Sequence, residues 1–426
     1  MRIGIVGVGY VGLATGISLC LKGNKVRFYD IDVNKIESLS KLKIPFYDQE
    51  LQKAVILCNS RRKISFHEVF EDFMKEVEII FVCIATSLTS DYAVNSSQFE
   101  EVVQNIISSA RNKIAVVFKS TMTPELYIHL EHLLRKNNLL SAVNPEFLRE
   151  GTALKDAINP WRLVVGTNDT ETKLIMKELY KDFDCPKVFT DPTSAIIIKY
   201  ASNSFLGVKI SFINEIANLC DVVGGNITDV SLSIGLDPRI GKEFLRAGIG
   251  FGGPCLPKDL KVFSRFADSN GVTLEIIKAA SRVNDVQYLK VVDKLKKNLT
   301  TLTGKCIGIF GLSFKESTDD LRNSLTIPLI SKIKEAGASV KAHDFLAHNK
   351  AKEILTNVTC TDDVFFVASQ SDAIVIATEW QQYRNLDWQK VLKLMKGNVI
   401  VDSRNLLDPT HMRELGFKYE GIGTAG

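Results

Sequence analysis

Ile3-Gly-Ile-Val-Gly7-Val-Gly9-Tyr-Val-Gly12 is an apolar strand that breaks into glycines and continues, through Leu13 to Leu21, as a helix-compatible segment. Gly7-x-Gly9-x-x-Gly12 has a physical reading: the first glycine permits a tight turn, the second lets backbone approach a pyrophosphate, and the third allows close helix–strand packing. A second strand, Lys25 to Tyr29, then ends in Asp30, placed to accept a hydrogen bond from a ribose 2′-hydroxyl. Strand, turn, helix, strand and acid in that order make a βαβ dinucleotide-binding unit. The acid repels a 2′-phosphate, so NAD is expected over NADP, a preference that nearby Lys35 softens.

Outward from this unit, the apolar runs Glu78 to Ala85 and Ile114 to Phe118 alternate with helical patterns and predict further parallel strands. We assign residues 1–190 to one doubly wound domain. From Asp191 the texture changes. Pro192 lies where a helix would start, and apolar residues recur at helical spacing through Ile196-Ile-Ile, Phe205, Leu206, Phe212, Ile213, Ile216 and Leu219 until Gly224-Gly225. That predicts a helix of ~30 residues, ~45 Å long at 1.5 Å per residue. A helix this long and apolar joins domains or packs on a partner subunit, so residues 191–300 are read as a central helical segment through which the chain dimerises. After Thr303-Gly304 the strand theme returns in Lys305 to Gly311, Ser339 to Asp344, Asp372 to Ala377 and Asn398 to Asp402. Residues 301–426 therefore form a second, shorter domain of the same winding. It lacks a full Gly-x-Gly-x-x-Gly and suits a mononucleotide, such as the handle of a nucleotide-activated substrate. The expected fold class is α/β, with two Rossmann-like doubly wound domains joined by a long helix and a central helical dimerisation segment.

Composition narrows the partners. Among 426 residues, Lys+Arg 53 against Asp+Glu 49 gives a net charge of +4 with no long basic block, which argues against nucleic acid and acidic membranes and for a small anion. The eight cysteines are scattered without zinc-ligand spacing, so no metal is expected. Met1-Arg2 runs directly into Ile3 to Val8, leaving no room for a signal peptide, and no stretch approaches ~18 uninterrupted apolar residues. The expectation is a cytoplasmic protein. Gly-x-x-x-x-Gly-Lys-Ser/Thr is absent, which excludes P-loop phosphoryl transfer.

Gly248-Ile-Gly-Phe-Gly-Gly-Pro-Cys-Leu-Pro-Lys-Asp259 sets Cys255 between a glycine run and a plausible first helical turn, whose dipole and amides favour a thiolate. Asp259, four residues on, falls on the same helical face and can orient a water or take a proton. Lys199 and Asn203 repeat that spacing on the long helix, where an ammonium and an amide can stabilise an oxyanion. Glu146 and Glu150, in Asn144-Pro-Glu-Phe-Leu-Arg-Glu-Gly151, follow a strand end, where a carboxylate can serve as general base. Each feature has an ordinary alternative: a small core residue at Cys255, a solvated helix face at Lys199 and Asn203, loop decoration at the two glutamates. The six histidines avoid all these segments, which disfavours a His-dependent hydride mechanism.

Taken in order, Gly7 to Gly12, Lys119-Ser-Thr-Met-Thr-Pro124, Asn144 to Gly151, Lys199-Tyr-Ala-Ser-Asn203, Asp237-Pro-Arg-Ile-Gly241, Phe251 to Asp259, and Phe314-Lys315 through Asp319-Asp-Leu-Arg322 resemble the nucleotide-sugar dehydrogenases over nearly the whole chain, UDP-glucose 6-dehydrogenases most closely. The resemblance implies a four-electron oxidation of a UDP-sugar 6-hydroxyl to the acid, with NAD as acceptor and thiohemiacetal and thioester intermediates on Cys255. It implies Lys199 and Asn203 as the oxyanion-stabilising pair, Asp259 and a water held by Thr121 as proton-handling groups, and Glu146 as the base for thioester hydrolysis. Thr86, Thr121, Glu150 and Arg322 join Gly7, Gly9, Gly12, Asp30 and Lys35 around the cofactor. Arg239 implies an arginine supplied across a subunit contact to the sugar, and Gly252, Lys315 and Arg404 further substrate contacts. A homodimer is implied, with larger homo-oligomers left open. Two positions depart from the pattern: Thr86-Ser87-Leu88 stands where the family often has Thr-Pro, and Pro254 where Ser or Tyr is frequent. Dehydrogenases of UDP-N-acetylhexosamines, two-electron β-hydroxyacid dehydrogenases and an NAD-sensing scaffold are the competing readings.

Overall fold

The structure is a computed structural model that describes residues 1–424. One compact unit spans residues 1–202, and the second begins at Asn203. The first contains β1 (Arg2–Val6), β2 (Lys25–Tyr29), β3 (Ile64–His67), β4 (Ile79–Val82), β5 (Ala115–Phe118), β6 (Leu140–Val143), β7 (Leu163–Gly166) and β8 (Lys187–Thr190), arranged β3-β2-β1-β4-β5-β6-β7-β8. β1 pairs in parallel with both β2 and β4, so the winding reverses there and opens a crevice beyond the carboxyl ends of these strands. Every residue of β4 and β5 is buried, as strands covered on both faces require.

The sequence predicts parallel pairing here, and one step corrects it: β6 meets β7 antiparallel, through Val143 and Gly166. A parallel return needs a crossover element long enough to span the sheet face. The connection after β6 instead holds an irregular loop and a six-residue helix, Ala153–Ile158.

Backbone geometry explains the first glycines. Gly7 has φ +95°, and a Cβ there would lie 2.6 Å from the Cys83 carbonyl oxygen. A Cβ on Gly12 would stand 1.8 Å from the Gly7 oxygen.

The long helix runs Pro192–Val223, 32 residues. Asp191 accepts the Ser194 N–H at 2.8 Å to start it, and Gly224, at φ +81°, follows its end. Among the described residues it alone is long and apolar enough, with mean hydropathy 1.2 over its best window, to cross a membrane. Three of its buried polar side chains nevertheless have partners within the fold: Lys199 on Glu146, Asn214 on the Gly248 N–H, and Ser211 on the Ala280 carbonyl.

The second unit is built on β9 (Cys306–Phe310), β10 (Ser339–His343), β11 (Thr359–Thr361), β12 (Ala373–Ile376), β13 (Val399–Asp402) and β14 (Lys418–Gly421), ordered β11-β10-β9-β12-β13-β14. All its pairings are parallel. The winding matches the first six strands of the other sheet.

Gly12→Ala is expected to lower stability by about 1–3 kcal/mol through overpacking and to weaken NAD binding, read from denaturant unfolding and calorimetric titration. Wild-type values for both would show that the close approach is dispensable.

Candidate active site

At the switch point of the first sheet, Gly9 caps the helix Tyr10–Leu21 without any side-chain cap bond. A Cβ on Gly9 would meet nothing within 4 Å. Open space over an uncapped helix N-terminus fits a pyrophosphate, drawn by amide N–H groups and the helix dipole. Asp30 follows β2, accepting the Val8 N–H at 2.8 Å through one oxygen and the Asp32 N–H at 2.9 Å through the other. Each oxygen retains a lone pair for a ribose hydroxyl. Lys35 lies 3.5 Å from Asp30 and 3.8 Å from Asp32, so a cation does stand beside the discriminating acid. Thr86, after β4, donates to the Thr121 carbonyl at 2.7 Å, which joins the two threonines at neighbouring strand ends.

The loop after β6 brings Glu146 and Lys199 together, although 53 residues separate them. The Lys199 ammonium donates to Glu146 Oε1 at 2.7 Å and to the Glu146 carbonyl at 2.8 Å, and the Leu148 N–H donates to Oε2 at 2.6 Å. Burial by itself would raise the Glu146 pKa. The Lys199 charge and hydrogen bond, the Leu148 N–H and the charge of Lys119 outweigh it and hold the carboxyl below its usual value. The loop is pinned further on by Arg149, whose side chain grips Asp156 at 2.7 and 2.9 Å. Glu150 lies on this loop and is half-buried.

In the second unit, Cys255 is the exposed one of the eight cysteines, none of which forms a disulfide. It immediately precedes the helix Leu256–Ser269. By contrast, burial pushes the Cys83 thiol up to about 12. The Cys255 carbonyl accepts the Asp259 N–H at 2.8 Å, so Asp259 sits one turn along. Its buried carboxylate accepts the Asn203 amide at 2.6 Å and lies 3.2 Å from the Lys258 ammonium.

The glycine run before Cys255 is held against loops of the second sheet. A Cβ on Gly252 would lie 2.4 Å from the Asn323 carbonyl oxygen, and Gly253, at φ +86°, packs on the Phe314 ring. Arg404 reaches the carbonyls of Ala377 (2.8 Å), Gly250 (3.3 Å) and Phe314 (3.4 Å) and pairs with Glu379 at 3.1 Å. Lys315 lies next to that ring, with its ammonium 5.7 Å from the centroid.

Asp344, at the end of β10, stands where Asp30 stands in the first sheet. Its two oxygens take the N–H groups of Leu312, Ser313, Leu346 and Ala347, the Ser313 hydroxyl and the Trp380 indole. A carboxylate so fully engaged has no capacity left for a ribose, which fits a nucleotide site of another kind.

Two assigned arginines are engaged locally. Arg239 pairs with Asp237 at 2.6 Å and is 87% exposed, and Arg322 forks onto Asp320 at 2.5–3.1 Å. Sequence reading passed over Asn284, which both donates to and accepts from the Phe251 backbone (2.9 and 2.8 Å), and Gln287, on the Gly248 carbonyl at 3.2 Å. These amides position the cysteine loop from a separate helix, Glu275–Gln287.

A dinucleotide cradle on one doubly wound sheet, a nucleotide-shaped second sheet and an exposed cysteine on a glycine loop describe an NAD-dependent dehydrogenase of nucleotide-activated substrates. Comparison with known proteins agrees. Residues 1–184 match the NAD binding domain, 193–286 the central domain and 308–409 the UDP binding domain of the UDP-glucose/GDP-mannose dehydrogenase family. The UDP-glucose 6-dehydrogenase of Rickettsia bellii is 36% identical over 432 residues, covering all of both chains. A UDP-glucose dehydrogenase from the hyperthermophilic archaeon Pyrobaculum islandicum superposes with a TM-score of 0.91 at 34% identity, over 100% of this chain and 98% of that one. A UDP-D-ManNAc dehydrogenase from Pyrococcus horikoshii gives 0.88 at 25%, with full coverage of both. The chain belongs to the UDP-glucose/GDP-mannose dehydrogenase family, and NAD is its cofactor.

Lys199→Met leaves Glu146 buried without its cation and is expected to cost about 3–5 kcal/mol at neutral pH. Glu146 has a folded pKa below its unfolded one, so its contribution is present above the unfolded value and is lost as pH falls through the folded value. The deficit of the variant should shrink as pH drops through the carboxylate range, as measured by urea unfolding. A pH-independent deficit would place the damage elsewhere.

Proposed function

We propose that this protein is a UDP-glucose 6-dehydrogenase that oxidises the 6-hydroxyl of UDP-glucose to the carboxylate of UDP-glucuronate. The observation carrying the reading is Cys255: an exposed thiol at a helix start, with a buried carboxylate one turn on that is itself oriented by Asn203. Relatives at 34–36% identity are named for UDP-glucose, against 25% for the ManNAc enzyme, which favours glucose over the N-acetylhexosamines.

NAD supplies the acceptor for a hydride from C6 in each of two oxidations. Asp259, with a water held by Thr121, takes the hydroxyl proton in the first. Lys199 and Asn203 neutralise the charge that develops on the C6 oxygen. Cys255 adds to the aldehyde carbon to give a thiohemiacetal, whose oxidation yields a thioester. Glu146 then takes a proton from the water that cleaves it. Gly7, Gly9, Gly12, Asp30, Lys35, Thr86, Thr121, Glu150 and Arg322 hold the cofactor. Gly252, Lys315, Arg404 and an Arg239 from a second copy, together with Glu146, Lys199 and Asn203, hold the UDP-sugar. We further read the chain as three segments, 1–190, 191–300 and 301–426, and as a cytoplasmic homodimer formed through the long helix. Phe205, Phe212, Leu219 and Val222 on that helix are exposed and apolar, in keeping with an unshared face.

Cys255→Ser should abolish acid formation from UDP-glucose while leaving the NAD dissociation constant within about twofold, because a serine hydroxyl is a far poorer nucleophile than a thiolate at neutral pH. Normal turnover by that variant would refute the covalent route.

A further inference from the structure

Beside the loop after β6, the first unit forms a pocket, open on one side, whose lining includes Thr15, Lys119, Glu146, Arg162 and Tyr180. Lys119 is buried there. Its ammonium donates to Asn144 Oδ1 at 3.0 Å, an oxygen that also accepts the Tyr180 hydroxyl at 2.6 Å. It makes no direct ion pair among the described residues. Thr15 lines the same pocket with a buried hydroxyl that has no partner.

A buried ammonium lacking a contacting counter-ion costs several kcal/mol, which asks what the charge serves. The carboxylates lining this pocket are Glu146 and Asp156. Asp156 is already bound by Arg149 at 2.7 Å. The Arg162 guanidinium is occupied over the Phe147 ring at 3.9 Å and on the Ser202 hydroxyl at 2.9 Å. Glu146 otherwise faces Lys199 from the long helix, the Leu148 N–H from its own loop and the Cys83 thiol beyond β4. Lys119 acts on it through space: its charge lowers the Glu146 pKa, while burial, first, lowers that of Lys119 itself.

We propose that Lys119 is a positioning residue for Glu146, a second cation that works across the shared pocket to fix the charge of a carboxylate already gripped by Lys199. The inference rests on Glu146 being the base for thioester hydrolysis. In that step a water oxygen bonds to the thioester carbon, its proton passes to Glu146, the carbon–sulfur bond breaks, and Cys255 leaves as thiolate. Lys199 alone would cancel one negative charge. With Lys119 added, the carboxylate stays ionised further into acid and is ready for the proton when the water attacks.

The test is the pH profile of acid formation from UDP-glucose and NAD by full-length Lys119→Met and Lys119→Gln. Glu146 acts when ionised, and losing a nearby cation raises its pKa. The acid limb of kcat should therefore move to higher pH, with activity recovering at alkaline pH. KM for UDP-glucose should stay within about twofold, and the first NADH of a single turnover should be retained. If the methionine variant does not fold, as seen by thermal melting, the glutamine variant decides, since its amide can still donate to Asn144. An unmoved limb in the folded variants overturns the proposal. Glu146→Gln separates the two ideas. Full acid formation by that variant overturns the base assignment itself. Slow acid formation by it, with unmoved limbs in the Lys119 variants, overturns the role of Lys119 alone.

Discussion

The buried ion pair between Lys199 and Glu146 is the constraint from which the local architecture follows. Burying either charge without the other is costly, and the loop after β6 brings its carboxylate to the first turns of the long helix. The 2.7 Å contact fixes that loop, with Arg149 and Asp156 pinning its far end. In the second unit, Asn203 holds the Asp259 carboxylate. Asp259 belongs to the turn that starts at Cys255.

The two sheets share a winding but divide the work by what stands at their carboxyl ends. In the first, glycines leave a helix N-terminus open to an anion, and Asp30 keeps lone pairs for a sugar. In the second, the matching acid, Asp344, is consumed by six donors. The surrounding loops instead press on the glycine run before Cys255, with Arg404 tying the Gly250 carbonyl of that run to the carbonyls of Ala377 and Phe314. One architecture thereby serves as a cofactor cradle in one half and as a support for the cysteine loop in the other.

Much of this was legible in the chain because it is written in local periodicity. Strand β2 falls on the residues expected, the long helix starts at the proline that predicts it, and the run around Cys255 separates that thiol from the seven others. What escaped reading is non-local. The antiparallel β7 depends on how the 144–162 connection spends its length, which apolar patterning does not encode. Asn284, Gln287 and the Lys119–Asn144–Tyr180 network act across tens of residues, and their positions look like ordinary polar decoration in sequence. Arg239 and Arg322, picked out by resemblance, lie on neighbouring aspartates. No sequence spacing predicts that, because an arginine two residues from an aspartate is common in turns.

The central claim is that one active site removes four electrons from one carbon by way of a sulfur adduct. The measurement that tests it most directly is the number of NADH molecules released per UDP-glucose consumed, with NAD in excess and the sugar limiting. The account predicts two, with no free aldehyde. One NADH per sugar, with the aldehyde as product, would contradict it and return the protein to the two-electron dehydrogenases.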